Sequence, residues 1–208
     1  MSLQNRVLPT GEITAQPWRG TLMGNRGILH NDQKTLETRR WQHPHWVTCV
    51  LTYKDWHRPV MTPRNYTELF FLDEACALAA GHRPCGLCRH SDYTRFRAAW
   101  AAAHGDAPLE HDDRMLHAAR VNRTRQQIRH EADFAILPDG VFVWHNDAPH
   151  LVWGSRLVRC EGGQYHDGTV RPISGIAEVL TPAPTLAAMA RGYRPVLHPR
   201  AQAFLHDA

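Results

Sequence analysis

Lysine is nearly missing from this chain: only Lys34 and Lys54 occur, so Arg supplies 22 of the 24 basic residues. No window approaches the run of about 18 uncharged apolar residues that a membrane span requires. The opening Met1-Ser2-Leu3-Gln4-Asn5-Arg6 has no apolar core, so it does not read as a secretory signal. No internal repeat, low-complexity tract or Gly/Ser/Pro-rich linker interrupts the 208 residues. Cysteine is sparse and odd in number, five in all, which suits reduced thiols in the cytoplasm better than a disulfide framework. These absences point to one continuous α+β domain over 1–208, with no membrane partner. Its β-rich part is expected from about residue 134.

Several catalytic signatures are missing as well. Gly20–Gly27 is glycine-rich, but no Walker Lys-Ser/Thr pair follows. His130-Glu131 has no second His for a zinc-protease helix, no His-x-Glu precedes Pro84-Cys85 as a deaminase requires, and no nucleophile elbow is present.

What is present is Ala79-Ala80-Gly81-His82-Arg83-Pro84-Cys85-Gly86-Leu87-Cys88-Arg89. Two thiols three positions apart on a turn set by Gly81 and Pro84 can share a tetrahedral ion such as zinc, at about 2.3 Å each. A redox pair is disfavoured, because no hydrophobic strand runs directly into the motif. Arg83 and Arg89 stand where they can acidify the thiols.

The run from Phe70 to Cys88 resembles the second half of the zinc domain of the Ada DNA-repair proteins, where a short helix ending Ala-Ala-Gly leads to Arg-Pro-Cys-x-x-Cys. The likeness covers about residues 46–90. It implies zinc held by Cys85 and Cys88 and two further ligands. In that family the other two cysteines lie in a Cys-Arg-Pro-x-Cys turn after an upstream strand. Here the turn reads Trp56-His57-Arg58-Pro59-Val60-Met61, with His57 and Met61 in the cysteine places. An imidazole can bind zinc, but it cannot act as the methyl-accepting thiolate. The methyl transfer of that family is therefore not expected to carry over.

His57 and His117 are the candidate remaining ligands. Asp113 lies one helical turn before His117, a spacing that suits a carboxylate orienting the imidazole. Cys49, in the strand-like Trp46–Tyr53, could also ligate, although such a cysteine is more commonly a small buried apolar side chain.

The formal charge of +4 and a pI near 9.0 favour an anionic partner. A GC-rich coding sequence would produce the same arginine bias, so composition alone does not choose one. Distribution says more: Arg120–Arg129 carries four Arg and no acid, interleaved with Asn122, Thr124, Gln126 and Gln127. Such a segment suits phosphate and sugar contacts. Arg83, Arg89, Arg120, Arg123 and Arg125 are the expected nucleic-acid contacts, with DNA ahead of RNA.

Strands are expected at Trp46–Tyr53, Thr67–Leu72, on both sides of the Pro138-Asp139-Gly140 turn, and at Leu151–Trp153 and Leu157–Cys160. Helices are expected from an Asp73 cap to Gly81, from Ser91 to Gly105, over about Leu109–His130, and from Thr185 to Gly192. Grouped strands and helices imply small antiparallel sheets with short helices around a zinc knuckle. A zinc-binding DNA protein of repair or modification is the leading expectation. Two rivals remain: a zinc enzyme acting on nucleic acid or a nucleotide, with Asp113 or Glu74 as base, and a zinc-stabilised protein-interaction module.

Overall fold

The computed structural model describes residues 2–56 and 59–205. The first part of the chain builds a sheet from six short strands: β1 (Arg6–Val7), β2 (Ile13–Thr14), β3 (Leu22–Asn25), β4 (Val47–Val50), β5 (Leu69–Phe71) and β6 (Arg83–Pro84). Their order is β2-β1-β5-β3-β4-β6, with β1/β5 and β4/β6 parallel and the other pairs antiparallel. A second sheet follows, wholly antiparallel: β7 (His130–Asp133), β8 (Phe142–His145), β9 (Ala148–Trp153), β10 (Arg156–Glu161), β11 (Gln164–Val170) and β12 (Ile176–Val179). Its order is β11-β10-β9-β8-β12-β7. Helices α1 (Glu74–Ala79), α2 (His90–His104), α3 (Leu109–Arg120) and α4 (Ala183–Ala190) complete an α+β fold with mostly antiparallel sheets. Among the described residues no helix is long and apolar enough to cross a membrane.

Helix α1 sits at the centre. It is buried on every side, as expected of a helix with no polar face. Ala77 and Ala80 pack with Leu69 and Phe71 of the first sheet. Ala75, Cys76 and Ala79 meet Phe142, Leu151 and Val158 of the second. Leu78 joins the third cluster, where Phe96, Trp100, Leu116 and Met189 of the other helices cover Val143 and Val152.

Asp73 caps α1 as expected, its Oδ1 accepting from Cys76 N at 3.0 Å. Its other oxygen accepts from Tyr165 Oη (2.7 Å) and His198 N (3.0 Å). The neighbouring Glu74 accepts from Tyr193 Oη (2.6 Å) and Val196 N (2.9 Å). The helix N-terminus is thereby tied to segments more than 90 residues further on.

Three local expectations change. The helix over 109–130 ends at Arg120, because Val121 is extended and the chain turns back in a small hairpin bridged Val121↔Gln127. Asn122 Oδ1 accepts from Thr124 Oγ1 (2.7 Å) and Gln126 N (2.9 Å), local bonds that compete with helix. Arg120, Arg123, Arg125 and Arg129 therefore do not share a helix face. Before Pro138, residues Phe134–Ile136 form a 3₁₀ turn in place of a strand, and the tight hairpin turn is Asn146-Asp147, both at positive φ. Helix α2 begins at His90 without the expected Ser91 cap.

Replacing Asp73 with Ala removes a cap and strands the buried Tyr165 hydroxyl and His198 amide. A loss of about 3 kcal/mol or more is expected by urea unfolding. Asp73→Asn keeps an acceptor oxygen and should lose clearly less; equal losses for the two variants would show that the bonds are not what matters.

Candidate metal centre

The short parallel pairing of β4 with β6 (Val47↔Arg83, Thr48↔Pro84) lays the Cys85 turn beside Cys49. Cys85 N donates to Thr48 O at 2.9 Å, extending the contact by one residue. The approach from α1 turns at Gly81, whose φ is +81° and where an added Cβ would lie 2.5 Å from Arg120 Cδ. Only glycine fits both conditions.

As a result the sulfurs of Cys49, Cys85 and Cys88 lie within 4.8 Å of one another, all half-buried. Such a group could hold a metal ion. Cys49, the residue for which a buried apolar role is the commoner reading, is thus the third member. Its signal in the sequence is faint, because the strand pairing that recruits it joins residues 36 positions apart.

The electrostatics of the cluster suit a cation. The Cys49 thiol donates to Cys85, which pulls Cys85 down to about 5 and pushes Cys49 up. The amides of Leu87 and Cys88 also stabilise the Cys85 thiolate, while burial pushes Cys88 up. One thiolate is prepared and two protons remain to be displaced.

Arg83 and Arg89 do not serve the thiols, nor do they reach the surface. Arg83 is buried and grips Asp113 with two bonds, Nε–Oδ1 2.6 Å and Nη2–Oδ2 2.7 Å. Arg89 is buried between Glu74 (2.8 Å) and Asp92 (2.7 Å) and donates to Thr48 Oγ1 at 2.8 Å. Neither is available as a phosphate contact.

His117 is not brought to the cysteines. Its Nδ1 meets Arg120 Nη2 at 2.8 Å, and its ring stands edge-on to Trp41 and Trp46. Burial and Arg120 lower its pKa to about 4. Asp113 orients no imidazole at the metal cluster either; besides Arg83 it binds His45 Nδ1 at 2.7 Å. Asp113 and Glu74, the two carboxylates considered as bases, are both engaged in structural bonds.

Arg120 is also buried. It donates to Gly81 O and Pro44 O, both at 2.7 Å, with its guanidinium carbon 3.7 Å from the Trp46 ring centroid. Of the five expected nucleic-acid contacts only Arg123 and Arg125 are exposed, on the 121–127 hairpin. Arg125 donates to Thr38 O at 2.7 Å. His57 lies outside the described residues.

Two measurements test this arrangement. Cobalt(II) titrated by its thiolate absorption should bind with an affinity that rises with pH, by about a hundredfold per unit near neutrality, because two thiol protons leave. Cys49→Ser should weaken it as severely as Cys85→Ser; a silent Cys49 variant would remove it from the centre.

The histidines make a separate prediction. His82 and His117 are held neutral, both with pKa values lowered by burial from the ordinary 6.5. The unfolded chain therefore binds more protons below pH 6.5, and stability must fall as pH drops from there toward about 4, where His117 titrates in the folded protein. His117→Gln, which retains an acceptor for Arg120, should reduce that acid slope while changing stability at pH 7.5 little.

Comparison with known protein families, with curated proteins and with solved structures finds no match for this chain.

Proposed function

We propose that the cluster of Cys49, Cys85 and Cys88 holds one structural zinc ion and that the chain is a nucleic-acid-binding protein, DNA before RNA, acting in repair or modification. The observation that carries the metal half is the convergence of three sulfurs within 4.8 Å. An all-sulfur set of this size favours zinc over the harder divalent ions. A fourth ligand completes a tetrahedron, and His57 is the candidate by its place in the Ada-like turn. The likeness of residues 46–90 to the Ada zinc module supports the same reading, with methyl-acceptor chemistry not expected, since His57 and Met61 stand in the cysteine places.

Support for the nucleic-acid half has moved from a helix to a hairpin. Arg123, Arg125 and Arg129 are exposed around the 121–127 turn, with exposed Asn122, Thr124 and Gln126 between them. Arg binds phosphate through a planar fork, so such a turn can follow a backbone. The enzyme rival is less well supported, since the carboxylates considered as bases are spent on Arg83, Arg89, Tyr193 and His45.

Purified protein should carry about one zinc per chain. It should bind DNA with a log affinity that falls against log salt by about 0.9 for each phosphate neutralised. Arg123→Ala, Arg125→Ala and Arg129→Ala together should flatten that slope by about two to three units without loss of zinc. Absence of binding to duplex or single-stranded DNA or RNA at low salt would overturn the nucleic-acid half. Metal-free protein of unchanged melting temperature would overturn the metal half.

A further inference from the structure

Arg26 and Arg120 are the two least exposed arginines among the described residues, at 3% and 1%. They differ from the other buried pair. Arg83 and Arg89 each face a carboxylate, whereas no carboxylate among the described residues forms an ion pair with Arg26 or Arg120. Asp113, an acid whose charge acts on Arg120, is held by both oxygens to Arg83.

Both guanidinium groups lie against one indole, with their central carbons 4.0 Å (Arg26) and 3.7 Å (Arg120) from the Trp46 ring centroid. Arg26 donates to His82 Nε2 at 3.3 Å and to Gly11 O at 3.4 Å, but its Nη2 has no partner, and neither has Arg120 Nε. Burial lowers the pKa of both, that of Arg26 to about 9, with Arg40 repelling Arg26 and Arg26 repelling Arg120. Two buried cations without a counter-ion are costly, and an anion beside them would relieve that cost.

A cavity of about 830 Å³ adjoins them. The buried Arg26, Arg120 and Trp46 line it, and Arg40, Arg125 and Arg129 add three more cations to its wall. Two acids, Glu12 and Glu178, also line it, and Glu178 already pairs with Arg129 at 3.3 Å. The lining residues Thr10 and Gln127 each hold a buried oxygen with no partner, although the Gln127 amide nitrogen is fixed by Pro9 O and Ala79 O. The surplus is thus of positive charge, together with one carboxamide acceptor and one hydroxyl.

We propose that this cavity binds a nucleotide, its phosphate drawn to the arginine-lined interior and its ring lying along Trp41. A bare phosphate is too small, because a space of about 830 Å³ is at the upper end of ordinary small-molecule sites, roughly 300–1,000 Å³. Half-buried Trp41 offers a flat apolar wall suited to a heteroaromatic ring. The nucleotide has two possible sources, a free mononucleotide or an end or splayed-out nucleotide of a strand. The inference deepens the nucleic-acid reading and rests on it for the second source only.

The test uses the full-length metal-loaded protein. Tryptophan fluorescence and melting temperature are followed against the ribonucleoside and deoxyribonucleoside 5′-monophosphates, inorganic phosphate, and short single strands with and without a 5′-phosphate. At least one mononucleotide or 5′-phosphorylated strand should saturate and raise the melting temperature, with inorganic phosphate weaker by about tenfold or more. Arg40→Ala should weaken that binding by about tenfold and leave cobalt binding unchanged, and Arg26→Gln should weaken it further. Should Arg26→Gln fail to fold, Arg40→Ala decides alone. No response to any of these ligands up to about 10 mM, or affinities unchanged in Arg40→Ala, overturns the site. Strand binding that survives both substitutions sinks the cavity and leaves the nucleic-acid reading standing. Mononucleotide binding without binding of these strands sustains the cavity and removes the strand as its source.

Discussion

Two adjacent buried carboxylates, Asp73 and Glu74, hold the arrangement of this molecule at the start of a six-residue helix. A helix so short has almost no stability of its own. It persists because its N-terminus is bonded to Tyr165, Tyr193, Val196 and His198, and because each of its faces is taken up by a different cluster of the core. Burial pushes the Asp73 carboxyl up, and the donors around it work against that shift. The cysteine cluster inherits this placement. From the end of α1 the chain passes Gly81, pairs as β6 with β4 and enters the Cys85 turn, so the cysteines stand where α1 directs them.

Arginine serves this chain in two different ways. Arg83 and Arg89 act as internal struts: one ties the β6 turn to α3 through Asp113, the other joins the start of α2 to α1 through Glu74. The planar fork of Arg allows both oxygens of a carboxylate to be met at once, which lysine cannot do. Arg120 belongs to neither the struts nor the surface. Capping Gly81 O and Pro44 O accounts for its Nη atoms, yet its charge is unanswered, as is that of Arg26 across Trp46. An excess of Arg in the sequence therefore cannot be read as a surface potential without knowing which guanidinium groups have carboxylates.

Features set by local chemistry are legible in the sequence. The Asp73 cap, the α1 helix ending before Gly81, the closure of α2 at Gly105 and the paired strands at 148–153 and 156–161 all follow from side chains within a few residues. Features set by distant pairing are not. Cys49 joins Cys85 only through β4 and β6, each too short to show a period. The end of α3 at Arg120 depends on an Asn122 side chain choosing its own turn, and helical spacing continues through that point. His117 is drawn to Arg120 and the indoles, which no motif announces. Two of the three clustered thiols, Cys85 and Cys88, are visible as a motif because both lie on one turn. The third is visible only once the sheet is known.

The β4–β6 contact is itself a reason for a metal. It comprises two residue pairs, and one of the four residues is Pro84, which has no amide hydrogen to give. Three half-buried sulfurs gather across this join, and their one stabilised negative charge rests on Cys85. An ion bound there would fasten β4 to the Cys85 turn and close a loop of more than thirty residues, where hydrogen bonding alone is thin. It would do so without touching the arginines, whose nearest members are already neutralised by Asp113, Glu74 and Asp92. The thiolate centre and the uncompensated Arg26–Trp46–Arg120 stack are therefore separate electrostatic problems of opposite sign, the first suited to a cation and the second to an anion.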